Sequence, residues 1–303
     1  MYFNIQQLRN KKNKTHFTMQ SNITTCIGTY NSLPYLQLAV ESIRMNEYFK
    51  STLVIFADGC TDGTNEWLIE NKEKYDITTI IEDRCEYSSN GYGMNRCAQE
   101  VSTKYINFLH ADMYCAKDFD LALYSKIASY NEEDKVLISS YRIQPNLFHN
   151  GEEPDRPGTV MVNPKEFGDI PENFNPAAFE KVSTQFMEDY KEFTVPKAEG
   201  CSFIIKKSDW DLVGGNDLVF KPNGYDDMDL FLRMRMRGYK YETIGASVVY
   251  HFAGRGGNGF FGKGLNGRNE SNAIGEVASA KAFLEKWGKY PIFDQYGMVT
   301  PFN

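Results

Sequence analysis

No uninterrupted apolar run in the 303-residue chain reaches the ~18 residues that a membrane-spanning helix needs. The first 21 residues, MYFNIQQLRNKKNKTHFTMQS, are polar and lysine-rich. They lack the apolar core of roughly 7–15 residues that marks a secretory signal, so a cytoplasmic location is expected. Excess positive charge is missing too. Thirty-three Lys and Arg stand against 40 Asp and Glu, a formal net charge of −7. Such a chain has no global basic field for non-specific nucleic-acid binding. Closely spaced thiols are also lacking. Cys26, Cys60, Cys85, Cys97, Cys115 and Cys201 include no C-x-x-C pair, which argues against a zinc cage or a dithiol redox motif. They are expected to be reduced thiols that pack as small hydrophobes. With 24 Gly and 11 Pro, the punctuating residues are no more frequent than in ordinary globular chains, so a collagen-like chain is excluded. No internal repeat is present.

What is present is an alternation of two signals. Short β-branched runs fall at Ile23–Ile27, Thr52–Ala57, Ile77–Glu82, Tyr105–Leu109 and Val136–Ser140. Helical stretches at Pro34–Met45, Thr64–Asn71, Gly93–Val101 and Asp118–Tyr130 separate them. This spacing predicts an α/β fold, a mainly parallel central sheet with helices on both faces. The runs TLVIFA and YINFLH are apolar on both alternating faces, as strands between two helix layers must be. Asn31 or Ser32 can cap the first helix, with Pro34 tolerated in its first turn. From Arg142 to Pro196 the texture turns irregular and proline-rich, with one helix near Pro176–Tyr190. Order resumes at Cys201–Lys206, a helix over Tyr225–Gly238 and strand over Tyr239–Tyr250. A glycine-rich segment, HFAGRGGNGFFGKGLNG, precedes a last helix near Ala273–Trp287. The expected organisation is a polar leader (1–21), a first strand-and-helix half (22–140), a second half carrying the insertion and the glycine-rich loop (141–272), and a C-terminal helix and tail (273–303).

In an open parallel sheet, ligands bind beyond the carboxyl ends of the strands. Three clusters sit there: Gly28-Thr29-Tyr30-Asn31, the run Asp58-Gly59-Cys60-Thr61-Asp62-Gly63-Thr64, and His110-Ala111-Asp112. Asp62 and Gly63 have an ordinary explanation as a turn and helix cap, whereas Asp58 sits directly at a strand end. Asp112 follows a buried apolar strand, where a carboxylate must be paired or hold a cation such as Mg²⁺ or Mn²⁺. The alternative is an aspartate that caps a helix near Lys117.

In the run Gly224-Tyr225-Asp226-Asp227-Met228-Asp229-Leu230-Phe231-Leu232-Arg233, helical periodicity puts Asp227 on the stripe of Leu230, Phe231 and Met234. Asp226, Asp229 and Arg233 fall on the opposite arc, which reads as a solvated face with an Asp229–Arg233 pair. A carboxylate on an apolar stripe in a first helical turn suits a general base. His251 ends the strand ASVVY, and the loop behind it carries Arg255 and Lys263, cations suited to phosphate. A lone histidine in such a place is as readily structural.

Together these motifs, with Asn95, resemble the ordered motifs of family-2-type glycosyltransferases of the GT-A fold, from about Asn22 to Gly256. The resemblance implies a nucleotide-sugar donor, a uridine or guanosine diphosphate sugar, at the strand ends. It places Thr29, Tyr30, Asn31, Asp58, Asn95, Ala111 and Arg255 against the donor, with Asp58 reading the base and Tyr30 stacking near it. It implies Mn²⁺ or Mg²⁺ on Asp112, with His251 and His110 beside it. It maps the acidic pair to Asp226-Asp227, the second being the usual base. His110 stands where the family has a first carboxylate, Ala57 where an acidic residue is common, and Met94 where an arginine often precedes the Asn. Arg96 is a substitute for that arginine's charge.

The expected activity is metal-dependent, inverting transfer of a sugar to an acceptor hydroxyl on a glycan, a lipid-linked or a protein-linked glycoconjugate, as in polysaccharide biosynthesis. Nucleic acid is not an expected partner, no transmembrane segment is expected, and peripheral contact with a membrane stays open. A retaining transferase on the same fold, or a non-catalytic carbohydrate- or nucleotide-binding module, is the alternative. A dinucleotide-dependent dehydrogenase is excluded because G-x-G-x-x-G does not follow the first strand.

Overall fold

Four of the apolar runs pair side by side and in parallel. Ile23–Thr29 (β1), Thr52–Asp58 (β2), Ile77–Glu82 (β3) and Tyr105–His110 (β4) take the order β3-β2-β1-β4. The computed structural model of the protein describes residues 22–146, 157–198, 200–222, 224–253 and 270–302, with 270–276 described by their backbone alone. The leader, Arg255, Lys263 and most of the glycine-rich segment lie outside the described residues. The chain runs outward from β1 to β3, then returns to lay β4 on the other side of β1. That reversal creates a switch point between the ends of β1 and β4.

Helices Leu33–Asn46 (α1), Thr64–Tyr75 (α2) and Asn90–Gln99 (α3) connect these strands. α3 packs on β1 and β2 through small residues: a Cβ built on Gly28 would lie 3.4 Å from the Cα of Gly93. The expected cap of α1 is supplied differently. Ser32 is the N-cap residue but makes no side-chain cap bond. Asp62 instead reaches across from the β2–α2 turn, accepting from Leu33 N at 2.9 Å and from Thr64 Oγ1 at 2.6 Å. Burial would raise its carboxyl, but these bonds hold it below the ordinary carboxylate range. Asp62 thus serves as a cap, as its plain reading proposed, but its bond to Leu33 N serves α1, while the N-cap residue of α2 is Gly63.

Beyond β4 the sheet continues through Phe203–Lys206 (β9), Val136–Pro145 (β6), Lys240–His251 (β10) and Met113–Cys115 (β5). β9 is antiparallel to both β4 and β6, while β10 is parallel to β6. Helices Phe119–Ile127 (α4), Lys207–Val213 (α7), Asp226–Met236 (α8) and Glu270–Trp287 (α9) complete this half.

The proline-rich stretch is more regular than its composition implies. It holds Thr159–Val162 (β7), parallel to β6, the short helix Pro164–Phe167 (α5), helix Pro176–Asp189 (α6), and Thr194–Val195 (β8), antiparallel to β10. Three of its prolines, Pro164, Pro171 and Pro176, stand at helix starts, where a missing N–H is harmless.

A main apolar core fills the sheet layers, and two smaller clusters flank it. One is aromatic, with Tyr114, Tyr141, Phe167, Phe179, Tyr250 and Phe252 below the end of β10. The other, Phe220, Leu232, Phe283 and Val299, ties α9 and the tail onto α8. Five of the six cysteines are buried, Cys85 is exposed, and all six are free thiols. No helix among the described residues is long and apolar enough to cross a membrane.

Candidate active site

The first rim element is the pair of turns after β1 and β2. Asn31, in the left-handed region at φ 47°, accepts from Thr61 N through Oδ1 at 2.7 Å. Thr29 Oγ1 lies 2.8 Å from Ser32 Oγ. These bonds fix Tyr30 between them, with the Arg84 guanidinium 4.0 Å from its ring centroid. Asp58, buried at the end of β2, accepts from Ser88 Oγ at 2.6 Å and from Arg84 Nη1 at 3.3 Å. Its carboxyl is raised by burial against the opposing effects of Ser88 and Arg84. Gly59 follows at φ 60°, and a Cβ there would come within 2.7 Å of Arg84. The backbone can approach Arg84 this closely only as glycine. The result is an aromatic face, a cation and a carboxylate on one rim.

The second element is built by strand register. β5 runs antiparallel to β10 with Met113 opposite His251, and Phe252 N donates to Asp112 O at 3.0 Å. That stitching places His251 Nε2 3.6 Å from Asp112 Oδ1. His110, at the end of β4, has its ring centroid 5.7 Å from that of His251. One ligand atom from each of His110, Asp112 and His251 lies within 4.8 Å of the others. Burial pushes His251 down to about 3, with Asp112 opposing the shift and Arg142 adding to it. His110 is lowered for the same first reason. A carboxylate flanked by neutral imidazoles, all three able to offer a lone pair to one point, can hold a divalent cation, so these residues fit the expected ion.

The third element is the start of α8, where the solvated-face expectation fails. Asp226 and Asp229 are buried, whereas Asp227 is partly exposed. Helical periodicity finds the face toward the sheet but not a second cover. α9 lies over the other arc, and Asp229 is fully enclosed by Arg233 Nε at 2.7 Å, Lys286 Nζ at 2.7 Å and Trp287 Nε1 at 2.9 Å. Asp226 lies beneath the start of α3, its Oδ2 3.3 Å from where a Gly91 Cβ would stand. Asp227 Oδ1 accepts from Met228 N at 2.7 Å. Its Oδ2 would meet a Cβ on Gly200 at 2.9 Å, so the chain entering β9 passes directly over this carboxylate.

Burial, with the neighbouring Asp227, pushes Asp226 up to about 7 from an ordinary 3.8. A carboxyl that holds its proton more tightly folded than unfolded favours the native state at low pH. That advantage is lost as pH rises through the window between those two values. Asp226→Asn cannot ionise. Its thermal stability relative to wild type should therefore climb as pH goes from about 5 to about 8, by on the order of 1–3 kcal/mol. Parallel melting curves for the two proteins across that range check this; a constant gap removes the buried-carboxyl assignment.

Two expected site residues have other occupations. The Asn95 amide is used twice on Asn216, donating to its O at 2.8 Å and accepting from its N at 2.9 Å. It braces the segment that leads into α8. Arg96 donates to Glu82 at 3.1 Å, which gives its charge a local partner. Ala111 is buried in the turn between His110 and Asp112.

Two rim residues went unforeseen. Arg142 acts electrostatically on both imidazoles, and Gln144 Oε1 lies 3.2 Å from His251 Nδ1. The alternation Tyr141-Arg142-Ile143-Gln144 was the available signal. Tyr141 and Ile143 are buried in the aromatic cluster, while the two polar residues take the other face of an extended β6.

A family model described as Glycosyl transferase family 2 matches residues 24–204. Among curated proteins, the chain is 30% identical over 130 residues to a teichoic acid poly(glycerol phosphate) polymerase of Staphylococcus epidermidis. It is 27% identical over 123 residues to glycosyltransferase GlyA of Streptococcus pneumoniae. These matches take in 42% and 41% of this chain but only 18% and 17% of the relatives' lengths. Among solved structures, GalNAc-T7, determined with UDP, GalNAc and Mn²⁺, is similar at a TM-score of 0.56 and 13% identity, over 78% of this chain and 44% of that one. A mannosyltransferase of Pyrobaculum calidifontis, determined with GDP-Man and Mn²⁺, gives 0.50 and 15% identity, over 82% and 63%. At such identities the likeness is one of fold.

Proposed function

The chain belongs to glycosyl transferase family 2 and has a GT-A-type fold, and we propose from that premise that it is a metal-dependent, inverting glycosyltransferase. The observation that carries the reading is the convergence of His110, Asp112 and His251 at the carboxyl ends of β4 and β10. The ligands of the two similar structures, UDP in one and GDP-Man in the other, each with Mn²⁺, support a nucleotide-sugar donor and a divalent ion such as manganese.

The residues divide the task. Tyr30 offers a face for the nucleobase, and the Asp58 carboxylate, held by Ser88 and Arg84, reads its edge. Asp112, His251 and His110 would hold the ion. When bound, that ion supplies positive charge against the diphosphate that departs. Asp227, at the lip of α8, takes the proton of the acceptor hydroxyl as its oxygen attacks the anomeric carbon from the face opposite the leaving group. The acceptor is a hydroxyl of a glycan or glycoconjugate. The six free thiols favour a reducing, cytoplasmic setting.

A panel of nucleotide sugars tested by thermal shift, with Mn²⁺ and with Mg²⁺, is the direct test. The true donor at 100 times its Kd should stabilise the protein by about 2.7 kcal/mol. Anomeric analysis of the product then separates inversion from retention. Donor turnover with no dependence on Mn²⁺ or Mg²⁺ overturns the metal reading, and donor binding without any turnover favours a binding module. In the same assay, Asp58→Ala should weaken nucleotide binding about equally with and without the ion, since a base contact lies away from the diphosphate. A loss confined to the metal-containing samples would move Asp58 into the cation site.

A further inference from the structure

The side chain of Gln144 is placed to decide which nitrogen of His251 carries the proton. Gln144 stands on β6, one residue beyond the registered pair Ile143–Tyr250, and its Oε1 lies 3.2 Å from His251 Nδ1. On its other side β7 sets Met161 opposite Gln144, and Gln144 Nε2 donates to the Met161 sulfur at 3.2 Å. The thioether is an acceptor only, so it takes the amide's NH₂ and leaves the carbonyl oxygen toward the imidazole. A carbonyl oxygen cannot donate. The hydrogen of that contact must therefore sit on Nδ1, and a neutral ring then presents its lone pair at Nε2. Nε2 is the atom that faces Asp112 Oδ1 at 3.6 Å. In the opposite tautomer, an Nε2–H would face that carboxylate and leave no lone pair at Nε2 for a cation.

We propose that Gln144, oriented by Met161 of β7, is a positioning residue that holds His251 in the cation-competent tautomer. The proposal rests on the metal reading given above. It also gives part of the proline-rich stretch a task, since β7 supplies the sulfur that orients the amide. Groups that orient a metal-binding histidine typically change metal affinity by about 10–100-fold when removed.

The test uses full-length ¹⁵N-labelled protein without metal, read by imidazole ¹⁵N–¹H correlation. The expected result is a His251 proton on Nδ1; a proton on Nε2 in the wild type overturns the proposal. Titration of Mn²⁺ alone, followed by the EPR signal of the free ion, gives the second readout. Gln144→Leu should weaken Mn²⁺ binding about 10–100-fold and shift the His251 proton toward Nε2. Gln144→Glu keeps an acceptor against Nδ1 and should retain the Nδ1–H tautomer, with Mn²⁺ affinity within a few-fold of wild type. Wild-type affinity and tautomer in Gln144→Leu overturn the proposal, as does equal weakening in both variants with the tautomer unchanged, which is a packing effect. Should wild-type protein bind no Mn²⁺ at all, the metal reading fails and the functional half of this proposal with it. The tautomer measurement distinguishes that failure, because it needs no ion.

Discussion

Asp227→Asn should abolish sugar transfer while leaving donor and Mn²⁺ binding intact. The substitution is nearly isosteric and removes only the ability to accept a proton. General-base catalysis contributes typically about 10²–10⁴-fold, so kcat should fall within or near that range. The thermal shift given by the donor should change little, because the base acts on the acceptor. Of the first-turn carboxylates, Asp227 is the one left partly exposed at the lip, with the chain at Gly200 passing over it. Asp226 lies deeper and holds its proton up to about 7, so Asp226→Asn should cost less activity. Near-normal turnover in Asp227→Asn together with a large loss in Asp226→Asn would transfer the role to Asp226. If neither variant loses activity, the base lies elsewhere or the reaction retains configuration.

Asp112→Asn should lower activity by orders of magnitude and remove Mn²⁺-dependent stabilisation by the nucleotide. The amide keeps the shape but not the negative charge that a hard divalent ion needs. EDTA should reproduce the loss in the wild type, and turnover undiminished by EDTA would sink the claim. His251→Ala should raise the Mn²⁺ concentration needed for activity; a change in heat stability alone would leave it a structural residue. The pH response follows from burial. An imidazolium cannot coordinate, yet His251 is pushed down to about 3 and His110 is also lowered from the ordinary 6.5. Mn²⁺ affinity should therefore fall less from about pH 7 to about pH 6 than a site of ordinary, solvated imidazoles would show. A drop as large as theirs over that interval would mean that the two rings are more solvated than the cluster indicates.

Much of this site is legible in the sequence. Asp58, His110 and Asp112 each follow an apolar run long enough to be a buried strand, and parallel strands bring their carboxyl ends to one rim. His251 was harder, since a lone histidine after a strand has no periodic partner. It became meaningful only when the antiparallel β5–β10 pairing set Met113 opposite it. The solvated face expected for Asp226 and Asp229 fails because a helical wheel sees one neighbouring layer. α8 has two: the sheet on one side, and Phe283, Lys286 and Trp287 of α9 on the other. Asn95 was legible as a motif residue, but its use on the Asn216 backbone depends on a contact 121 positions away in sequence. Gln144 was missed because the prolines beyond it masked the continued alternation of β6.

The layered α/β class, the positions of the main strands and helices, and the family are all legible in the chain's order of residues. Those rest on local periodicity and on motif order, which are properties of neighbouring residues. The tertiary structure alone decided that β9 would enter antiparallel between β4 and β6, which aspartates of α8 would be covered, and which nitrogen of His251 would meet an amide oxygen. Each is an outcome of long-range packing and strand register, where a shift of one residue turns every side chain to the opposite face. The entry of β9 and the cover over α8 bring together segments far apart in sequence, and a pattern read within one segment does not name its partner.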